Sequence, residues 1–362
     1  MAAQQVQERA GQNASGGAAG DLVVVKVAPF NAEASITNLD AALTPTPEFY
    51  VRSNFAVPPL DAATHRIQVG GAVERGLSLS VAELRSLGTR TLATTMECAG
   101  NNRMGLAPLP SGEPWQVGAV STGEWTGVPL RRVLERAGVR ADAVEILAIG
   151  ADHGAPKDGP GDIPFARSLP LDKALHEDTL LALEMNGEPL PPAHGAPVRL
   201  VVPTWYGMAS VKWVAQIEAL TEPFTGYYQA KRYIYDPADG TPPPPVREMR
   251  VKAMIVSPAE GATVPVGRVT VRGKAWSGAG EIVKVELAVD GGDAWQEARL
   301  LESPGPYAWR AWEWEWQAAD PGRHALRARA TDATGARQPD APQWNKYGYG
   351  NNAVRPISVN VR

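Results

Sequence analysis

Four consecutive prolines, Pro242 to Pro245, interrupt the chain with a stiff, extended segment that neither a helix interior nor a central strand can absorb. The patterns on its two sides differ, and 362 residues leave room for two domains. The prolines therefore predict a boundary between a mixed α+β unit at about 45–240 and an all-β unit at about 246–362. Residues 1–44 read as an N-terminal arm with one strand-like run, Leu22–Val27.

In the first unit Ser80-Val81-Ala82-Glu83 is a capping box, whose Ser hydroxyl and Glu carboxylate satisfy free amides at a helix start. A second helix is predicted from Pro129, with Leu130, Val133, Leu134 and Ala137 on one face and Gly138 as its stop. Leu180–Met185 runs into Asn186-Gly187, a type I′ hairpin signal. Val198–Val202 and Val211–Leu220 read as central strands.

Beyond the prolines, strands are predicted at Val269–Gly273, Ile282–Val289, Trp309–Trp316, His324–Ala330 and Ile357–Val361, with a turn at Asp290-Gly291-Gly292-Asp293. Trp312, Trp314 and Trp316 alternate with Glu313 and Glu315, so the indoles share one face, either a core or a dimer contact. Roughly 110 residues of this kind predict an immunoglobulin-like sandwich.

Composition removes several function classes. The chain is 44% hydrophobic, and no apolar run approaches the roughly 18 residues of a membrane-spanning helix. Its 35 Lys and Arg against 39 Asp and Glu give a net charge of −4, without the basic footprint of a nucleic-acid binder. One cysteine excludes an internal disulfide, multi-cysteine zinc sites and all-cysteine iron–sulfur clusters. The five histidines lack metal-ligand spacing. Met1–Gly20 has neither the apolar core of a secretory signal nor a twin-arginine pair. The expected location is cytoplasmic as the chain stands, or periplasmic if a leader has been removed.

The lone cysteine lies in Glu97-Cys98-Ala99-Gly100-Asn101-Asn102-Arg103, after a strand-like run, Thr91–Met96, and within a loop that permits tight turns. Arg103 would favour a thiolate and attract anions. A buried thiol acting as a small hydrophobe fits the same residues.

Glu97-Cys98-Ala99-Gly100-Asn101 with Arg103 resembles the molybdenum-ligand loop of the sulfite oxidase family. Further segments match in the family's order: Phe49-Tyr50-Val51-Arg52, Trp115 with Gly118–Thr122 and Trp125, Met185–Leu190, His194-Gly195, Pro197-Val198-Arg199, Val211-Lys212-Trp213, Trp344-Asn345 and Gly350–Ala353. The resemblance runs from about Pro45 to the C-terminus. It implies a sulfite-oxidase-type molybdopterin-binding domain followed by a dimerising immunoglobulin-like domain, and hence a homodimer.

By that resemblance Cys98 is the ligand to molybdenum, a soft thiolate suited to a metal held by a pterin dithiolene. His194, Arg199 and Lys212 would hold the pterin phosphate, Asp152, Asn54 and Ser210 its polar atoms, and Phe49 and Tyr50 would line it. Arg52, Arg103 and Tyr233 would bind a small sulfur oxyanion, with Trp115 either walling the pocket or packing in the core. Tyr233 is chosen from a segment that also holds Tyr227, Tyr228 and Tyr235.

The implied reaction is oxidation of sulfite to sulfate by oxygen-atom transfer at molybdenum. Electrons would leave to a separate acceptor, a c-type cytochrome or oxygen. Two positions depart from the family: Asn54, where histidine is frequent, and Tyr347, where sulfite-oxidising members carry arginine. These departures keep a sulfane dehydrogenase acting on protein-bound sulfur in view. A third reading, from another class, is a cofactor-free dimeric scaffold.

Overall fold

The computed structural model describes residues 22–235, 241, 243–292 and 294–362. Pro242, Asp293 of the predicted turn and residues 1–21 of the predicted arm lie outside the described residues.

The first unit is built on two five-stranded sheets. One runs Glu188–Pro189, Leu180–Met185, Val120–Pro129, Arg90–Glu97, with Arg199–Val201 also paired to Leu180–Met185. The other runs Leu77–Ser80, Arg66–Gly71, Val214–Leu220, Glu145–Gly154, Ile163–Pro170. Its helices are short: Val81–Arg85, Leu130–Ala137, Leu171–Ala174 and Tyr227–Ala230. The expected α+β balance thus shifts strongly towards β, because proline and glycine close the longest helix after eight residues.

Several local signals work as physical chemistry predicts. Ser80 Oγ accepts from the Glu83 amide at 3.2 Å, and the Ser80 amide donates to Glu83 Oε2 at 2.8 Å. Pro129 is the N-cap of the second helix, not its first residue, and Gly138 ends it at φ 71°. Asn186 and Gly187 both have positive φ, 52° and 80°, as a type I′ turn requires.

The two expected central strands are shorter. Arg199–Val201 keeps three residues between Pro197 and Pro203. The next strand starts at Val214, because Trp213 has φ 52° and turns the backbone before it. The freed residues 210–213 supply side chains to the site described below.

The segment Asn31–Thr44 is not a loose arm. Ala32 exchanges backbone hydrogen bonds with Val51, and Ala34 donates to Gly118. Asn31, Glu33, Leu39 and Thr44 are buried. Trp309 donates to the Ala42 carbonyl and Lys274 to that of Asp40, so this segment ties the first unit to the second.

The second unit has a four-stranded sheet (Lys252–Ser257, Gly267–Trp276, Arg310–Ala318, Arg299–Leu300) and a five-stranded one (Thr263–Val264, Ile357–Val361, Gly322–Asp332, Ile282–Val289, Gln296–Glu297). Val271, Ala275, Trp312, Trp314 and Trp316 from the first pack with Val285, Leu287, Leu326 and Val359 from the second in one apolar core. The three indoles therefore face inward.

Candidate functional site

Cys98 follows directly on the strand Arg90–Glu97, the edge of its sheet, and its amide donates to Ala119 O at 2.9 Å. Beyond it the chain turns tightly. Asn101 N returns to Cys98 O at 2.9 Å, Arg103 N to Gly100 O at 3.1 Å, and Asn102 takes the left-handed conformation at φ 66°. A Cβ at Gly100 would lie 2.3 Å from Arg103 Nη2, so any larger residue there would displace that guanidinium. The thiol is buried, and burial pushes its pKa up against the opposing charges of Arg52 and Arg103. Among the described residues no group of three or more His, Cys, Asp or Glu could hold a metal, so a metal at this thiol would draw its other donors from a cofactor.

Cys98 lies between two adjoining hollows. The inner one is lined by Phe49, Tyr50, Arg52, Asn54, Cys98, Asp152, His194, Arg199, Ser210, Lys212 and Tyr233. Those are eleven of the thirteen residues that the sequence nominates. Arg103 and Trp115 line the outer hollow, about 400 Å³, which shares Arg52, Asn54, Cys98 and Tyr233 with the inner one.

The inner hollow is a buried cluster of cationic side chains. Lys212 Nζ donates to Ser53 Oγ at 2.7 Å and to Ala193 O at 2.8 Å, and stands 4.1 Å from the Trp213 ring centre. Arg199 donates to the carbonyls of His194 and Ser210 and lies over Trp125, while its Nε has no partner. Burial, then Arg199, holds the Lys212 amine well below its usual range. His194 is pushed down to about 3 by burial and by the neighbouring Arg199 and Lys212, so it is neutral. The acid among the nominated residues, Asp152, is pushed up to about 6 by burial, and its Oδ1 is unpartnered. Buried cations with unused donors favour an anionic ligand bearing hydrogen-bonding edges, the chemistry of a pterin with a phosphate. Ser210 Oγ accepts from the Val202 amide at 3.0 Å, which leaves its proton to donate.

In the outer hollow Arg52 is held by its neighbours. Nη2 donates to Asn54 Oδ1 at 2.7 Å, and Nη1 to Asn31 Oδ1 at 3.3 Å and to the Ser53 carbonyl. Asn54, standing where the family often has histidine, thus orients the guanidinium. Arg103 is more structural than the sequence suggests. Nε donates to Tyr347 O at 2.8 Å and Nη1 to Glu113 O, which leaves Nη2 outside these bonds. Tyr233 sits at φ 50° with its ring stacked on Tyr349, 5.2 Å between centres, and borders both hollows. Trp115 fills both roles considered for it, being buried in an apolar cluster with Cys98 and lining the outer hollow.

Sequence reasoning missed Arg232, Tyr349 and Glu113 in the outer hollow, and Ser53 and Trp213 in the inner one. Trp213 and Tyr349 lie within or beside matched segments and could have been found there. Arg232 has no signal except its adjacency to Tyr233.

Comparison with known proteins agrees with this geometry. A family model described as "Oxidoreductase molybdopterin binding domain" matches residues 54–228, and one described as "Mo-co oxidoreductase dimerisation domain" matches 244–362. The sulfite oxidase of Gallus gallus is 37% identical over 345 residues, covering 88% of this chain and 74% of its own. The mitochondrial sulfite oxidase of Mus musculus is 36% identical over 354 residues, covering 92% of this chain; the chain spans 64% of that relative's length. The crystal structure of the sulfane dehydrogenase SoxCD from Paracoccus pantotrophus superposes with a TM-score of 0.81 at 26% identity, covering 99% of this chain and 92% of that one. With Cys98 at the junction of a cation-lined cavity and an arginine-lined one, the chain belongs to the sulfite oxidase family of oxidoreductases that carry molybdenum on molybdopterin.

Proposed function

We propose that the protein oxidises sulfite, or a closely related sulfur oxyanion, to sulfate and delivers the electrons to a separate acceptor, a c-type cytochrome or oxygen. We further propose a catalytic unit at 45–240 and a homodimer formed through an immunoglobulin-like unit at 246–362. The observation that carries the reading is the single thiol shared by the two hollows, one suited to an anionic cofactor and one to a small anion.

In this reading Cys98 ligates molybdenum. Lys212, Arg199 and neutral His194 hold the cofactor's phosphate, Asp152, Asn54 and Ser210 meet its polar edges, and Phe49 and Tyr50 form its walls. When bound, the cofactor supplies two-electron oxygen-atom-transfer chemistry. The protein's own side chains position the substrate. Arg52, fixed by Asn54 and Asn31, binds the oxyanion, with Nη2 of Arg103 beside it. Tyr233 offers a phenol donor at the junction, and Trp115 keeps water from the inner wall. In balance, sulfite and water give sulfate, two protons and two electrons.

Curated relatives at 36–37% identity are sulfite oxidases, which favours sulfite over the protein-bound sulfur of a sulfane dehydrogenase. The test is sulfite-dependent reduction of ferricyanide or cytochrome c by purified protein, with molybdenum assayed in parallel. Rapid turnover at near-stoichiometric metal is expected. Full metal without sulfite turnover would overturn the substrate, and protein that never acquires metal would point to the scaffold.

A further inference from the structure

The outer hollow opens into a wider vestibule, and the two share Arg52, Asn54, Glu113, Tyr228 and Arg232. An anion travelling from solvent towards Cys98 passes between these side chains. Arg52 and Arg103 meet it with guanidinium groups already bonded to the protein: both Nη atoms of Arg52, and Nε and Nη1 of Arg103.

Arg232 differs. Its backbone amide is tied to Tyr227 O, but its guanidinium has neither a hydrogen bond nor an ion pair among the described residues. What holds it is a ring: Arg232 Cζ stands 4.5 Å from the centre of Tyr347. Tyr347 in turn packs on Tyr349, 5.7 Å between centres, and Tyr349 stacks on Tyr233. Seating on an aromatic face orients a guanidinium without using any of its five N–H donors. The carboxylate of the same hollow, Glu113, is paired with Lys26 at 3.1 Å, so it does not neutralise Arg232. Tyr347 brings no charge of its own.

We propose that Arg232, carried on the Tyr347 ring, is the guanidinium that captures the anionic substrate at the mouth of the outer hollow. The inference rests on the function proposed above for the substrate's charge, but not for the geometry. Arg52 binds the anion deeper in, while Arg232 sets affinity and discriminates against uncharged sulfur compounds.

The test uses cofactor-loaded protein and two readouts: KM for sulfite, and the affinity for sulfate by titration calorimetry. Arg232→Gln is expected to weaken sulfate binding and to raise the KM for sulfite by about tenfold, well beyond any fall in kcat. Arg232→Lys keeps the charge and should recover part of both, and Tyr347→Leu, which removes the platform, should weaken sulfate binding by a smaller factor. Sulfate affinity unchanged in Arg232→Gln overturns the proposal whatever happens to kcat. Failure of the wild-type protein to bind sulfate overturns it too. If the wild-type protein binds sulfate through Arg232 but does not turn over sulfite, the function proposed above falls and this assignment stands.

Discussion

Glu97 and Lys252 form an ion pair at 2.8 Å with side chains only 2% and 6% exposed, one residue from Cys98 and across the junction of the two units. The carboxylate also accepts from Asn101 Nδ2 at 2.9 Å and Trp276 Nε1 at 2.9 Å, and Lys252 donates to Asn351 O at 3.0 Å. Every strong polar atom of the pair is therefore satisfied away from water. Removing the cation alone strands a buried carboxylate, so Lys252→Met should destabilise the protein by roughly 3 kcal/mol. Adding Glu97→Gln should restore part of that loss, because it removes the stranded charge and its amide oxygen still accepts from one of the two remaining donors, Asn101 Nδ2 or Trp276 Nε1. Denaturant unfolding of the single and double variants measures the difference; equal stability of the two would contradict this account.

Cys98→Ser changes little volume in a buried loop whose backbone bonds do not involve the sulfur. Its unfolding midpoint should stay close to that of the wild type, while sulfite turnover falls below detection. Retained turnover would remove Cys98 from the metal.

Asn54→Leu deletes the acceptor that fixes Nη2 of Arg52. The guanidinium keeps its other two partners, so the loss is partial: KM for sulfite should rise by roughly three- to tenfold. Arg52→Gln should cost more than this in kcat/KM. Steady-state kinetics on both variants give the ranking, and a larger effect from Asn54 would mean that its contact with the cofactor outweighs its hold on Arg52.

The depressed pKa of His194 has a definite sign in stability. The folded protein keeps the ring neutral down to about 3, whereas the unfolded chain takes up a proton from about 6.5. The contribution is fully present above the unfolded value and is lost as pH falls through this window, by up to about 1.4 kcal/mol per unit. Asp152, raised from 3.8 to about 6, acts oppositely, since its contribution is lost as pH rises through that range. In protein prepared without cofactor, His194→Gln should flatten the acid side of the stability curve relative to wild type. Parallel curves from pH 7 to 4 would show that the ring is not held neutral.

Much of this was legible in the chain because the responsible physics is local. Ser80 and Glu83 cap each other within one turn, Asn186-Gly187 sets its own dihedral angles, and three alternating tryptophans can bury only one face of a strand. The site was legible through ordered motifs, which placed eleven side chains around one cavity. What escaped depends on distant partners. Nothing near Arg103 announces that its fork closes on Tyr347, 244 positions away. Nothing near Arg232 announces a ring from the other unit beneath it. The Asn31–Thr44 segment carries no strong local pattern, and its order comes from backbone bonds to Val51, Gly118 and Thr122.

The loop that carries Cys98 is finished by the far end of the chain: Gly350 N donates to Ala99 O at 2.8 Å, and Asn351 Nδ2 to Asn102 O at 2.8 Å. A chimera that exchanged residues 246–362 for those of a relative would thus replace part of the mould in which the cysteine loop is cast. The two units can be told apart by eye, yet they are not interchangeable parts, and shuffling them requires the residues on both sides of that seam to travel together.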